Sequence, residues 1–216
     1  MTILIRMEGI RYRMETSPVK TPSKTARPGS ATPRTQLDRN DWIEGAIDIL
    51  AKSGVSGLRV EVLAKACGVT KGSFYWHFKD RKDLLDAVLE RWREGRIKDI
   101  EKATSGAPGR EKDQLQYLIE IYGASRNRKG MSIELAVRDW ARHDGEAAAV
   151  VEAVDLYRLE CTRKLFVAGG MSEAEAKSRS LLLYACVFGL SLMHYGRFDE
   201  NLPDLKQRIS ERIVSP

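Results

Sequence analysis

From residue 38 onward the sequence follows helical periodicity, and no stretch alternates apolar and polar residues with the period of two that marks a half-buried strand. Apolar residues recur at helical spacing in segments separated by short glycine-containing breaks, such as 105–109 and 169–172. We therefore expect an all-α fold of about nine helices. Residues 38–83 would form a small head of three helices, and residues 84–216 a larger helical domain.

The first 37 residues differ from the rest in composition and charge. They contain seven Lys or Arg and two acidic residues, so they supply five of the six net positive charges of the chain. Residues 15–37 are rich in Ser, Thr and Pro and poor in bulky apolar residues, a composition that cannot repay the entropy of ordering. We predict a disordered basic arm over 1–37, with Met1, Met7 or Met14 as the translation start.

Several classes of protein are not supported by the sequence. The three cysteines, Cys67, Cys161 and Cys186, form no CxxC pair, and no group of His, Asp and Glu has the spacing of metal ligands, so we expect no disulfide, metal or cofactor. The longest apolar run, 181–193, is shorter than the ~20 residues that span a bilayer. The N-terminus has no continuous apolar core of a signal peptide. We expect a cytoplasmic protein with no membrane partner.

Two short helices separated by one glycine indicate a helix-turn-helix. Residues 60–67 form the first, Gly68 provides the sharp turn, and the second is expected to begin at Thr70 and end near Phe78. The Thr70 hydroxyl is predicted to cap the second helix, whose first amides, with Ser73, would bind phosphate. In this motif the second helix enters the major groove of DNA.

The second helix contains an unusual run, 74–78, of four aromatic residues and one histidine. On a helical wheel Phe74 and Phe78 share one face, which we assign to the core, and Trp76 lies opposite to them. The other outward or flanking positions are Lys71, Gly72, Ser73, Tyr75 and His77. Residues 59–82 contain six basic and two acidic residues, which is the local positive patch that a DNA-binding protein needs.

Segment 54–92 resembles the DNA-binding region of TetR/AcrR-type transcriptional regulators. The matching positions are Gly54, Leu63-Ala64, Gly68-Val69, Thr70, Tyr75, His77-Phe78 and Leu84. The triplet Tyr75-Trp76-His77 is similar to the tetracycline-repressor branch of that family. The resemblance implies a homodimer whose second domains enclose a small-molecule pocket, and a palindromic double-stranded DNA operator that is released when an effector binds.

The resemblance also implies roles for individual residues. Tyr75 and His77 would contact phosphates, and Arg81 would hold the flanking DNA backbone. Base edges would face Lys71, Gly72, Ser73 and Trp76. Arg59 lies at the start of the first helix, where the DNA backbone would pass. Glu61 departs from the tetracycline repressors, which carry a guanine-reading arginine there; a glutamate accepts from a cytosine amino group or repels DNA.

The effector pocket and the dimer interface are predicted from the second domain. Trp140 has polar neighbours, including Arg138 and His143, which is typical of a small-molecule site. The candidate pocket residues are Tyr122, Trp140, His143, Tyr157, Phe166, Tyr184 and Phe188. Aromatic residues at this spacing are more often core, and His143 alone is more often exposed than a metal ligand.

A long helix over about 172–195 has more apolar surface than one bundle face covers, so it is predicted to pair with its copy in a second chain. The interface residues would be Leu182, Ala185, Gly189 and Met193, with Leu205 and Ile209 of the last helix.

Three functions are compatible with these patterns. The first is a transcriptional repressor that leaves its operator when a small molecule binds. The second is a DNA-binding regulator without a small ligand, controlled by a protein partner. The third, remote alternative is a helical enzyme, but the sequence has no Ser/His/Asp set, paired carboxylates or phosphate loop to support catalysis.

Overall fold

The computed structural model describes residues 37–123 and 128–215, apart from the side chains of 121–123 and 128. Within these ranges the chain forms nine α-helices and no strand, which confirms the predicted fold class. The helices are α1 (Arg39–Ser53), α2 (Val60–Ala66), α3 (Lys71–Phe74), α4 (Arg81–Thr104), α5 (Glu111–Gly123), α6 (Arg128–Ala141), α7 (Gly145–Ala168), α8 (Glu173–Leu192) and α9 (Leu202–Val214). The predicted disordered arm lies outside the described residues except for Leu37.

Helix α1 begins and ends at residues that the sequence marks clearly. The Asp38 carboxylate accepts from the Asp41 amide at 2.9 Å, and the Asp41 carboxylate accepts from the Asp38 amide at 2.8 Å, so each satisfies an amide that the first helical turn leaves free. Gly54 ends the helix with a φ of +66°. Between these ends, Trp42 and Leu50 are fully buried.

The helix-turn-helix is present, but its second helix is shorter than the sequence predicts. Helix α3 ends at Phe74 rather than near Phe78. Beyond it the chain tightens into a turn in which the His77 amide donates to the Phe74 carbonyl at 2.9 Å. The amides of residues 75–77 each donate to the carbonyl three positions earlier, whereas an α-helical amide donates to the carbonyl four positions earlier. Residues 75–77 therefore continue α3 as a tighter, 3-10-like turn.

Thr70 precedes α3, but the predicted hydroxyl cap is wrong. Thr70 is the N-cap residue by position, and its side chain makes no capping hydrogen bond. Instead the Ser73 hydroxyl and the Ser73 amide both donate to the Thr70 carbonyl, at 2.7 and 3.1 Å. One first-turn amide is therefore already used within the chain, and the phosphate contact at the start of α3 stays a prediction.

The turn between α2 and α3 depends on a left-handed residue. Gly68 has a φ of +68°, and a Cβ added there would have no atom within 4 Å. Gly68→Ala is therefore expected to lower the free energy of unfolding by about 1–2 kcal/mol through backbone strain alone. Urea denaturation followed by far-UV circular dichroism measures this loss.

Gly95 is the matched control for Gly68. It lies inside α4, and a Cβ added there also has no atom within 4 Å. Because its backbone is helical, Gly95→Ala is expected to raise the free energy of unfolding by about 0.5–1 kcal/mol. A Gly68→Ala protein as stable as the wild type would mean that the turn does not need a left-handed residue.

The buried apolar residues form two clusters. The head cluster joins α1–α4 to α6 and α7 through Trp42, Leu50, Leu63, Phe74, Phe78, Val88, Trp92, Val137, Trp140 and Val151. The body cluster joins α5, α7, α8 and α9 through Leu115, Leu118, Leu165, Phe166, Leu183, Tyr184, Val187 and Ile213. The head cluster contains residues from both sides of position 83, where the sequence predicts a domain boundary. Residues Leu37–Pro216 form one compact unit, and the domain boundary stays a prediction.

Helix α4 links the head to the larger part of the fold. It runs without a break for 24 residues, and the Asp80 carboxylate accepts from the Asp83 amide at its start at 3.0 Å. At the same end, Lys82 forms an ion pair with Glu146 at the start of α7, with 2.7 Å between the charged atoms. Among the described residues, no helix combines the length and the hydropathy needed to cross a bilayer.

Candidate nucleic-acid interface and effector site

The aromatic run of the helix-turn-helix divides into buried and exposed residues as the helical wheel predicts. Phe74 is fully buried; its ring stacks on Phe78 at 5.2 Å between centroids and meets the edge of Trp42 at 5.5 Å. Trp76 is 87% exposed, and Tyr75 is exposed beside it. Two rings therefore hold the motif in place, and two are available to a partner.

The start of α2 and the start of α3 together form one exposed surface, which we call the reading surface. Glu61 on α2 forms an ion pair with Lys71 on α3, and both side chains are more than half exposed. The hydrogen bond from Lys71 lowers the pKa of Glu61, and the same bond raises the pKa of Lys71. The reading surface contains Arg59, Glu61, Thr70, Lys71, Gly72, Ser73, Tyr75, Trp76 and His77, of which Ser73 and His77 are partly buried.

The Glu61–Lys71 pair was not expected from the sequence, which assigned each residue a separate DNA contact. Ten residues and a turn separate them, so their meeting depends on how α2 and α3 cross. Because each charge is already neutralised by the other, neither is free to meet DNA without changing partner.

Arg39 fixes the reading surface to the rest of the head. One guanidinium nitrogen donates to the His77 carbonyl, and another donates to Asp83 Oδ1 at 2.8 Å. The guanidinium carbon also lies 4.1 Å from the centre of the Phe78 ring. Sequence reasoning missed this residue because its partners lie 38 and 44 positions away.

Arg81 has partners within the chain. Its Nε donates to the Leu58 carbonyl at 2.6 Å, and Nη2 donates to the Val55 carbonyl at 2.8 Å, so it ties the start of α4 to the short 3-10 turn Val55–Gly57. The contact with the flanking DNA backbone stays a prediction, which would use the remaining N–H groups of this five-donor side chain.

A second polar site lies between α6 and α7, inside the larger part of the fold. Four charged residues form it, and we call it the polar cluster: Glu134, Arg138, Asp155 and Arg158. Arg158 is 1% exposed and Glu134 is 3% exposed, so two opposite charges are almost completely removed from water. Such burial is costly unless every charge is paired and hydrogen-bonded.

Arg138 is fully paired in this cluster. It holds Asp155 with two hydrogen bonds of 2.8 and 2.6 Å, and it donates twice to Glu134 Oε1, at 3.0 and 2.9 Å. Burial opposes its charge, but the hydrogen bond to Asp155 and the negative charge of Glu134 outweigh that effect and raise the pKa of Arg138. This residue therefore joins the two helices.

Arg158 is only partly paired. Its Nη1 donates to Glu134 Oε1 at 3.1 Å and lies 3.5 Å from Asp155 Oδ1. Its Nε and Nη2 are buried with no hydrogen-bond partner, and so is Glu134 Oε2. The polar cluster thus contains unused donors and an unused acceptor in a place without access to water, which is uncommon in a folded protein.

Aromatic rings from α8 lie against the polar cluster. The Phe188 ring centre is 4.1 Å from the Arg138 guanidinium carbon and 5.5 Å from that of Arg158. The Tyr184 ring centre is 5.5 Å from the Arg158 guanidinium carbon, and its hydroxyl is 3.2 Å from the Thr162 hydroxyl. Two predicted pocket residues, Tyr184 and Phe188, are therefore brought together here with Arg138, which the sequence analysis named beside Trp140. The sequence did not single out the other three charged residues for this role.

The other predicted pocket residues are not brought to one place. Trp140 is buried in the head cluster, Phe166 is buried in the body cluster, and His143 is exposed. The Tyr157 hydroxyl donates to Glu101 at 3.0 Å, and this bond raises the pKa of Tyr157 to about 12. The Tyr122 side chain lies outside the described residues. The six residues whose side chains are described thus do not line a single pocket.

The predicted dimer residues lie mostly on an open face of α8. Leu182, Ala185 and Met193 are exposed, whereas Gly189 is partly buried. Leu205 and Ile209 on α9 are also partly buried, and Ile209 packs against the body cluster. The apolar residues on this face recur every three or four positions, so they form one continuous apolar stripe of the kind found at interfaces. No group of three or more metal-ligating side chains occurs in the described part of the chain.

Comparison with known proteins places the head among transcriptional regulators. The sequence profile of the bacterial regulatory proteins of the tetR family matches residues 43–88. The HTH-type transcriptional regulator AcrR of Shigella flexneri is 28% identical over 192 residues, which cover 83% of this chain and 87% of AcrR. Tetracycline repressor protein class A of Escherichia coli is 36% identical over 109 residues, which cover 50% of this chain and 45% of that repressor.

Solved structures show the same fold over most of the chain. A candidate transcriptional regulator from Saccharomonospora viridis, crystallised in complex with choline, matches with a TM-score of 0.67 and 17% identity. The match covers 82% of this chain and 94% of that protein. The similarity therefore extends beyond the helix-turn-helix into the helices that surround the polar cluster.

Proposed function

We propose, from the premise that this chain belongs to the TetR/AcrR family of transcriptional regulators, that it is a sequence-specific DNA-binding repressor released from its operator by a small molecule. The reading surface would enter the major groove, and the operator would be palindromic because two copies of the chain bind it. In this proposal the protein acts in the cytoplasm and catalyses no reaction.

The exposure of Trp76 carries the DNA-binding part of the proposal. It is 87% exposed, whereas Phe74 and Phe78, two residues before and after it in the same run, are buried. Folding gains nothing from so large an exposed apolar ring, and in this proposal it would face thymine methyl groups and base edges.

Trp76→Ala is therefore expected to weaken operator binding by about 1–3 kcal/mol and to leave the free energy of unfolding unchanged. Operator titration by fluorescence anisotropy and urea denaturation measure the two quantities. Tyr117→Ala is the matched control, because Tyr117 is an exposed aromatic residue on α5, and it should change neither. A Trp76→Ala protein with normal operator affinity would remove this residue from the interface.

We propose a homodimer formed through α8 and α9. Leu181, Leu182, Leu192 and Met193 are large apolar side chains exposed along or just after α8, more than a soluble surface usually leaves in one place. Sedimentation of the free protein tests this directly. A monomer at micromolar concentration would contradict it, whereas a dimer that Leu182→Glu dissociates would support it.

The polar cluster favours control by a small molecule over control by a protein partner. A protein partner docks on exposed surface, but the unused hydrogen-bonding atoms of Arg158 and Glu134 are buried. Buried groups of this kind are reached only by water or by a ligand small enough to enter the fold. If no small molecule changed the operator affinity, the alternative would be supported, namely a DNA-binding regulator that a protein partner controls.

A further inference from the structure

We propose that the polar cluster is an effector subsite that binds a ligand with no net charge through a carbonyl oxygen. This inference rests on the proposed function, because it names the chemistry of the molecule that would release the operator. It begins from the three atoms without partners: Arg158 Nε, Arg158 Nη2 and Glu134 Oε2.

The unused atoms of Arg158 favour a planar acceptor. Its Nη1 is already directed at Glu134, so the edge that carries Nε and Nη2 remains for another group. That edge presents parallel N–H groups in a fixed plane, which match an oxygen acceptor of sp² geometry. The unpaired donors of Arg158 outnumber the hydrogen bonds that the unpaired oxygen Glu134 Oε2 can accept. A ligand that satisfies this site must therefore mainly accept hydrogen bonds.

The charge balance of the cluster favours a neutral ligand. Two arginines face two carboxylates, and each guanidinium lies within 3.5 Å of both of them. A carboxylate ligand is the usual partner of a free arginine edge, but here it would add an uncompensated negative charge beside Glu134 in a buried site. A carbonyl group of an amide satisfies Arg158 without that cost, and an amide N–H can also donate to Glu134 Oε2.

The surroundings favour a flat apolar body for the rest of the ligand. Phe188 and Tyr184 present rings beside the guanidinium groups, and Thr162 supplies a hydroxyl next to Tyr184. An aromatic ligand would pack against these rings while its carbonyl group points to Arg158. Naphthalene-2-carboxamide and naphthalene-2-carboxylate are suitable probes, since they differ only in the polar group.

The test is calorimetric titration of the full-length protein with each probe. The wild type is expected to bind the amide about tenfold or more tightly than the carboxylate. Glu134→Gln removes one negative charge at nearly constant shape, so carboxylate affinity is expected to rise by about tenfold or more in that variant. Glu160→Gln makes the same change at an exposed glutamate of α7 and should leave both affinities at the wild-type values.

Arg158→Lys is a second variant, which keeps the positive charge but removes the planar edge. It is expected to lose amide binding by about tenfold. Equal binding of both probes to the wild type, or tighter binding of the carboxylate, would overturn the assignment of a neutral ligand. If neither probe binds, or if Arg158→Lys binds the amide normally, the cluster holds only buried water and the subsite is refuted.

A parallel operator titration separates this inference from the proposed function. An operator affinity that depends on Trp76, together with no probe binding, leaves the DNA-binding function intact and refutes only the subsite. If the amide binds at Arg158 but operator affinity does not change, the subsite stands and release by this ligand class is refuted. Coupling requires that the ligand prefer the DNA-free arrangement.

Discussion

Arg158→Ala is expected to lower the free energy of unfolding by about 3–5 kcal/mol, one of the two largest effects of any single substitution that we predict. Arg158 is 1% exposed and shares Oε1 of Glu134 with Arg138. Its removal leaves the buried Glu134 and the partly exposed Asp155 facing a single arginine, and it also leaves a cavity. Both effects act in the same direction.

Two further variants test whether the unpaired buried charge causes the loss of stability in Arg158→Ala. The double variant Arg158→Met with Glu134→Met replaces the buried pair by apolar side chains, and it is expected to recover most of the lost stability. Arg163→Ala is the matched control on α7, since its partners Glu160 and Glu173 are exposed, and it should cost within about 1 kcal/mol. Equal losses for Arg158→Ala and Arg163→Ala in urea denaturation would contradict the assignment of a buried charge cluster.

Phe74→Ala is expected to lower the free energy of unfolding by about 3–5 kcal/mol. The ring is fully buried and contacts two other rings, Trp42 on α1 and Phe78 beyond α3. Because it belongs to the core that joins α1 to α3, its loss is expected to loosen the reading surface as well as the core. Operator affinity should therefore fall together with the denaturation midpoint.

Phe198→Ala provides the comparison for Phe74→Ala. Phe198 is the same residue type at 77% exposure, so its removal should change the free energy of unfolding within about 0.5 kcal/mol. If Phe74→Ala unfolded at the wild-type denaturant concentration, the assignment of the two phenylalanines to the core would be refuted.

The head could be predicted from the sequence in some detail because its interactions are local. The i, i+4 spacing of Phe74 and Phe78 placed both in the core, and Gly68 marked the turn between α2 and α3. The cap at Thr70 failed because the Ser73 amide, which the Thr70 hydroxyl would accept from, donates to the Thr70 carbonyl instead. A backbone carbonyl and a side-chain hydroxyl of one residue compete for the same amide, and the sequence does not say which will accept.

The polar cluster could not be predicted in the same way. Arg138 and Glu134 form a normal surface pattern when α6 is considered alone, and so do Arg158 and Asp155 on α7. Glu134 and Arg158 are 24 positions apart, and their burial depends on how the two helices pack. For Trp140 the local sequence pattern was misleading. Its polar neighbours indicated the edge of a pocket, but its ring is buried in the head cluster.

Helix α6 connects the polar cluster to the head, so a movement at one can reach the other. Helix α6 carries Glu134 and Arg138 at one interface and packs against α1 at another, where Lys129 pairs with Asp48 at 2.7 Å. It thus contacts the polar cluster, which it helps to form, and α1 of the head, which reaches the reading surface through Arg39. We expect a ligand that moves α6 away from α7 to move α1 as well, and with it the segment next to Trp76 that Arg39 holds.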